Sequence, residues 1–251
     1  MRLLYTANDG RISWTKDYIS VKDIPPYAIL SHTWQEEQEV TFDDLTNTDN
    51  VKVNCAKSKE GYEKIRFCAQ QAKRDGLDYF WVDTCCINKD SSAELTEAIN
   101  SMFRWYQDAE RCYVYLPDIT IGVADEVAEL SQQLKESRWF TRGWTLQELI
   151  APASVEFFSK DQQRLGDKRS LENILHGITG IAVQALRGRH LSNFSVNERM
   201  SWADRRETTR AEDAAYCLLG VFGIHMPLIY GEGQDRALNR LRKEITESMK
   251  D

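Results

Sequence analysis

No stretch of this 251-residue chain approaches the roughly 18 consecutive apolar residues that a bilayer-crossing helix requires. The opening MRLLYTANDGRISW also lacks the apolar core and small-residue cleavage site of a secretory leader. The two absences lead to the expectation of a cytoplasmic protein with no membrane span. Cysteine occurs six times, but no CxxC pair or regular framework is present: Cys85 and Cys86 are adjacent, and Cys55, Cys68, Cys112 and Cys217 are dispersed. Reduced, buried thiols are the expectation, with no metal site and no disulfide scaffold. A basic excess is missing as well. With 32 Lys and Arg against 39 Asp and Glu, the net charge of −7 argues against nucleic-acid binding, which relies on neutralising phosphates. Arg205, Arg206 and Arg210 cluster locally, but acids are interleaved with them, so they read as solvated or paired charges. There is no Pro-, Gly- or Ser-rich linker, no internal repeat and no GxxxxGK[ST] phosphate loop. YGEG (Tyr230 to Gly233) reads as a glycine-punctuated turn before the last helix.

What is present is a core's worth of apolar material, 42% hydrophobic and 10% aromatic residues, in an ordered alternation. YAILSHTW (Tyr27 to Trp34) is an uninterrupted apolar run after Pro25 and Pro26, which exclude a helix there, and reads as a buried strand. SKEGYEKIRFCAQQAKRDG places Tyr62, Ile65, Ala69 and Ala72 at helical spacing and stops at Gly76. LDYFWVDTC reads as a second buried strand. SSAELTEAINSMFRWYQDAERC reads as a second helix, with Ser91 and Glu94 spaced as a capping box. CYVYL reads as a third strand. DITIGVADEVAELSQQLKES then reads as a loop and an amphipathic helix, and SVEFFS (Ser154 to Ser159) as a further strand. Strand, helix, strand with continuous apolar strands predicts a parallel sheet covered on both faces. From about residue 168 the pattern turns almost wholly helical, with Thr209 and Glu212 again at capping-box spacing. The expectation is one domain, an α/β core over about residues 1–167 with a helical lobe over about 168–251 packed on it.

In an open parallel sheet, ligands bind beyond the carboxyl ends of the strands. That rule selects Ser31, His32 and Trp34 after the first strand, and Asp83, Thr84, Cys85 and Asn88 after the second. The polar ones among them also suit turn and cap hydrogen bonds. Asp83, directly after YFWV, is costly unless paired or used. Cys85 or Cys86 with His32 has the types of a nucleophile and base, but no third orienting residue is identifiable. The segment SRWFTRGWTLQELIAP (Ser137 to Pro152) sets one acid, Glu148, between Leu146 and Leu149. Thr145 stands three residues before it, so Glu148 either closes a capping box on its own helix or faces the cleft; a helix start at a cleft allows both.

The blocks PPYAILSHTW, FWVDTCCINK, ELTEAINSMFRWYQDAERCYVYL, WFTRGWTLQELIAP and TTRAEDAAYCLLGVFGIHMPLIYGEG resemble, in order, the HET (heterokaryon incompatibility) domain of fungal cell-death and allorecognition proteins. The chain looks in particular like the N-terminal domain of receptors that continue into NACHT and WD-repeat modules; neither module lies within these residues. The resemblance implies a distant relation to Toll/interleukin-1 receptor (TIR) domains, hence a flavodoxin-like fold. Enzymatically active TIR domains cleave NAD with a glutamate in a segment of the form SxWCxxEL, and RGWTLQEL lays Trp144, Glu148 and Leu149 onto it, with Thr145 in place of the cysteine. By that resemblance Glu148 is catalytic, NAD is a substrate with no cofactor needed, and activity follows self-association. Ser31, His32, Asp83 and Asn88 would then border the substrate, Arg142 would meet its pyrophosphate, and Trp34, Trp81 or Trp144 would stack on a ring. The competing expectations are a non-catalytic signalling module that acts by homotypic assembly and a hydrolase acting through Cys85 or Cys86.

Overall fold

The computed structural model describes residues 1–46, 56–120 and 127–250. Its centre is a seven-stranded sheet: β1 (Leu4–Thr6), β2 (Ile12–Trp14), β3 (Tyr27–His32), β4 (Tyr79–Trp81), β5 (Arg111–Leu116), β6 (Val155–Ser159) and β7 (Arg164–Asp167), in the order β2-β1-β4-β3-β5-β6-β7. The four middle strands are parallel, as the apolar runs predict. The sheet as a whole is mixed, which corrects the expectation of a purely parallel one. A short hairpin, β1–β2, pairs antiparallel with β4, and β7 returns antiparallel along β6. These edge strands are three or four residues long, too short to show a period-2 pattern, and they close both edges of the parallel core.

Helices cover both faces. On one side lies α2 (Glu60–Arg74), whose Phe67 ring packs on Tyr113, Tyr115 and Phe158; α1 (Phe42–Thr46) precedes it. The buried stripe of α2 runs through Lys64, Ile65, Phe67, Cys68 and Ala72, so Tyr62 and Ala69 sit at its border and a lysine lies inside it. After the one-turn α3 (Asp83–Cys86), α4 (Ser92–Gln107) crosses the opposite face, where Tyr27 donates to the Trp105 carbonyl at 2.5 Å and Trp81 packs edge-on to Trp105 and Tyr106. Next come α5 (Val127–Glu136), a 3-10 turn (Arg138–Thr141) and α6 (Thr145–Ile150), the last packed against α4. The expected loop before α5 falls largely on residues 121–126, and the sixth cysteine, Cys55, on 47–55; both lie outside the described residues. The other five cysteines are free and buried.

The remaining helices are α7 (Glu172–Thr179), α8 (Val183–Leu186), α9 (Val196–Ser201), α10 (Asp213–Tyr216), α11 (Leu219–Phe222) and α12 (Gln234–Ser248). They pack directly on the α/β part. Asn100 of α4 donates its side-chain N–H to the Met226 carbonyl and accepts from the Met226 N–H, and Gly220 leaves no room for a side chain: a Cβ there would stand 2.0 Å from Phe103. The YGEG turn has Gly231 and Gly233 at φ 98° and 82°, and Glu212 accepts from both of their N–H groups at 2.9 Å. The spacing of Thr209 and Glu212 therefore does not make a capping box, because Glu212 is committed to that turn.

Candidate functional site at the strand ends

From β3 the chain passes to β4 on one side, and from β5 to β6 on the other, so the sheet reverses direction between β3 and β5. Such a switch point opens a crevice at the strand carboxyl ends. Ser31 and His32, the last residues of β3, stand there, and alternation sends their side chains to opposite faces.

Ser31 faces α6. Its Oγ accepts from the Trp139 indole N–H at 2.8 Å and donates to Oε2 of Glu148. Because the indole can only donate, it obliges the serine to spend its own proton on the carboxyl. The capping-box geometry for Glu148 is not formed: the Thr145 hydroxyl donates instead to the carbonyls of Trp139 at 2.6 Å and Arg142 at 2.8 Å, and the glutamate reaches across to the sheet. The Tyr106 hydroxyl, which donates to the Leu30 carbonyl at 3.0 Å, borders the same carboxyl. Burial, with a smaller push from Asp83, raises Glu148 to about 8 although Ser31, Tyr106 and Arg206 favour its charged form. At neutral pH the acid is mostly protonated. Arg206, read from the sequence as a solvated or paired charge, is tucked inside: one Nη donates to the Arg142 carbonyl and to Thr145 Oγ1, both at 2.8 Å, while Nη2 is buried without a partner among the described residues. Burial lowers it to about 10.

His32 faces α2. Its Nδ1 lies 3.5 Å from the buried Lys64 ammonium and its Nε2 lies 3.2 Å from Asp83 Oδ1. Since Lys64 has only protons to give, Nδ1 is the acceptor and Nε2–H donates to Asp83. Lys64 also bonds the Thr33 carbonyl at 2.9 Å and the Glu39 carboxylate. Burial works against Asp83's charge, but Lys89, 3.9 Å away, and His32 outweigh it and hold Asp83 below its usual range. The switch point thus carries two carboxyls in opposite states: Asp83 ionised and Glu148 protonated, the charge of the first helping to keep the proton on the second.

Trp34 and Asn88 line a neighbouring cleft of about 300 Å³ between the loop after β3 and the loop after β4. Asn88 shapes its rim, donating its backbone N–H to Glu94 and accepting from the Asp90 N–H. Glu94 is thereby only half of the predicted capping box: Ser91 accepts from the Glu94 N–H at 3.3 Å, but the acid turns to Asn88 and Arg2. Arg142 and Trp144 are not brought to this place. Arg142 donates to Thr209 Oγ1 at 2.8 Å and Trp144 to Asp213 at 3.1 Å, so both hold the helical lobe. Trp81 is enclosed in the core. Cys85 and Cys86 are buried, and burial lifts the Cys85 thiol well above its ordinary range, which removes the thiolate a nucleophile needs. The residues that sequence reasoning missed are Trp139, Tyr106, Arg206, Lys64, Glu39 and Lys89. Only Lys64 left a trace, as a charge on the apolar stripe of α2.

Residues 27–123, which run from β3 past β5 and include Ser31, His32, Trp34, Asp83 and Asn88, match the model of the family described as Heterokaryon incompatibility protein (HET). The chain is also 58% identical over 248 residues, 98% of its length, to the Vegetative incompatibility protein HET-E-1 of Podospora anserina. The chain carries a HET domain. It covers 18% of that relative, so the HET domain is a small part of the longer protein it resembles. Glu148 lies beyond the family-model match but within the aligned relative. No solved structure matches this HET domain.

Proposed function

We propose that this HET domain cleaves the glycosidic bond of NAD, as a death effector in vegetative incompatibility, and that it does so when longer chains carrying NACHT and WD-repeat modules bring copies together. The observation that carries the reading is Glu148: a carboxyl raised to about 8 at the switch point, held by Ser31 and not by its own helix. Structural carboxylates are normally stabilised in their charged form; one held near neutrality in a strand-end crevice fits a chemical task. Read from β3, the parallel strands run in the 2-1-3-4 order of a flavodoxin-like sheet, which supports the TIR-like reading.

The chemistry balances with few groups. The bond between the ribose C1′ and the pyridinium nitrogen breaks, its electron pair stays on nitrogen, and neutral nicotinamide departs without needing a proton. The ionised Glu148 carboxylate faces the oxocarbenium charge that develops on the ribose. Water then adds to C1′, and its proton leaves through the carboxylate, giving ADP-ribose. A cationic ring beside Glu148 favours its ionised form, so substrate binding itself prepares the group. Nicotinamide release from NAD by concentrated, artificially clustered protein tests this. Wild type is expected to release it and Glu148→Ala to lose about 10²–10³ of the rate. Equal release by both, or none from clustered wild type, would leave the non-catalytic assembly module as the reading.

A further inference from the structure

The cleft between the loops after β3 and β4 already holds a cation. Trp34, 46% exposed, presents its indole face there, and the Lys89 ammonium sits 3.4 Å from the ring centroid and 3.9 Å from Asp83. Burial pulls Lys89 downward, so its charge occupies that position at a cost. Five acids, Glu36, Glu37, Glu39, Asp43 and Asp90, line the same space, an environment that attracts cations and repels phosphate. Two cleft residues also carry buried polar atoms without partners among the described residues. Thr84, 4% exposed, has a free hydroxyl, and Gln35 has a free amide oxygen. Buried groups of this kind cost stability unless something satisfies them. One can donate and the other can only accept. Glu37, at the cleft wall, is held at φ 63°, a strained setting for a residue with a side chain.

We propose that this cleft binds a flat aromatic cation bearing a carboxamide, whose ring displaces the Lys89 ammonium from the face of Trp34. The ring keeps the cation–π attraction and adds stacking area. Its carboxamide oxygen accepts from Thr84 and its N–H group donates to Gln35. A volume of about 300 Å³ is at the small end for ligand sites and admits one ring, not a dinucleotide. The acidic wall keeps a pyrophosphate outside. Lys89 is then an internal stand-in for the ligand, released when the ring arrives. In vivo the ligand would be the nicotinamide end of NAD, which rests on the function proposed above; the binding chemistry does not.

The test is calorimetric titration of 1-methylnicotinamide, a permanent cation with no ribose to lose, into the intact chain. It is expected to bind at least tenfold more tightly than uncharged nicotinamide. Trp34→Leu is expected to weaken it tenfold or more, and Lys89→Gln to tighten it severalfold by removing the competitor. Equal affinity for the charged and uncharged rings, indifference to Trp34→Leu, or weaker binding in Lys89→Gln would each overturn the proposal. If the cation binds but clustered protein releases no nicotinamide from NAD, the cleft stands and the hydrolase reading falls. Release without cation binding has the opposite meaning.

Discussion

Keeping Glu148 in a protonated state is expensive. In the unfolded chain it ionises near its ordinary value of 4.5, whereas the folded site holds its proton up to about 8. Below both values the two states bind the proton alike and nothing is lost. As pH rises between them the unfolded state alone gains the favourable charge, so folding stability falls, and the loss is complete above pH 8. Glu148→Gln keeps an acceptor for Ser31 but has no charge to bury. Its stability relative to wild type is therefore expected to grow from pH 5 to 8 and then level off, by up to a few kcal/mol at about 1.4 kcal/mol per pKa unit. Denaturant titrations of both proteins across that range check it; a difference that does not vary with pH would mean that Glu148 is already ionised. The sequence advertised this residue, because an acid between two leucines has to be explained. Its partner, Ser31, lies 117 residues away and was reachable only through the rule that strand ends line the crevice.

Elements decide where that carboxyl points. α6 has only six residues, too few to be a stable helix alone, and both of its ends are fastened from outside. Thr145 and Arg206 secure its start, while the buried Lys168 ammonium caps its end by donating to the carbonyls of Leu149, at 3.2 Å, and Pro152. Burial lowers Lys168 to about 8, so these bonds are made by a group that itself resists being there. Lys168→Met leaves two buried carbonyls unsatisfied and is expected to destabilise the fold by about 1–3 kcal/mol at pH 7, read from a denaturation midpoint. An unchanged or raised midpoint would show that desolvating the ammonium costs more than its bonds return. The three capping-box spacings illustrate how far local signals reach. Ser91–Glu94 forms in half, and Thr145–Glu148 and Thr209–Glu212 do not form, because each acid found a tertiary partner that spacing along the chain cannot show.

At the scale of the whole molecule, the four parallel strands and the helices between them were legible because buried strands write continuous apolar runs. The antiparallel edges were not, since strands of three or four residues carry no period of their own and owe their existence to the edges they cover. The helical lobe was legible as helices expected to pack on the α/β part, but the contacts that hold it were not: Arg142, Trp144 and Gly220 make them between residues far apart in sequence. What the assembled fold adds is the juxtaposition of an ionised Asp83, a protonated Glu148 and an acidic cleft at one end of the sheet. The central claim is that Glu148 is the catalytic carboxyl and must ionise to act. The most direct measurement is the pH dependence of kcat/KM for nicotinamide release from NAD by clustered wild type and Glu148→Gln. Wild type is expected to rise about tenfold per pH unit up to a plateau near pH 8, the value of the free site, with Glu148→Gln low and flat. The same profile in both proteins would contradict the account.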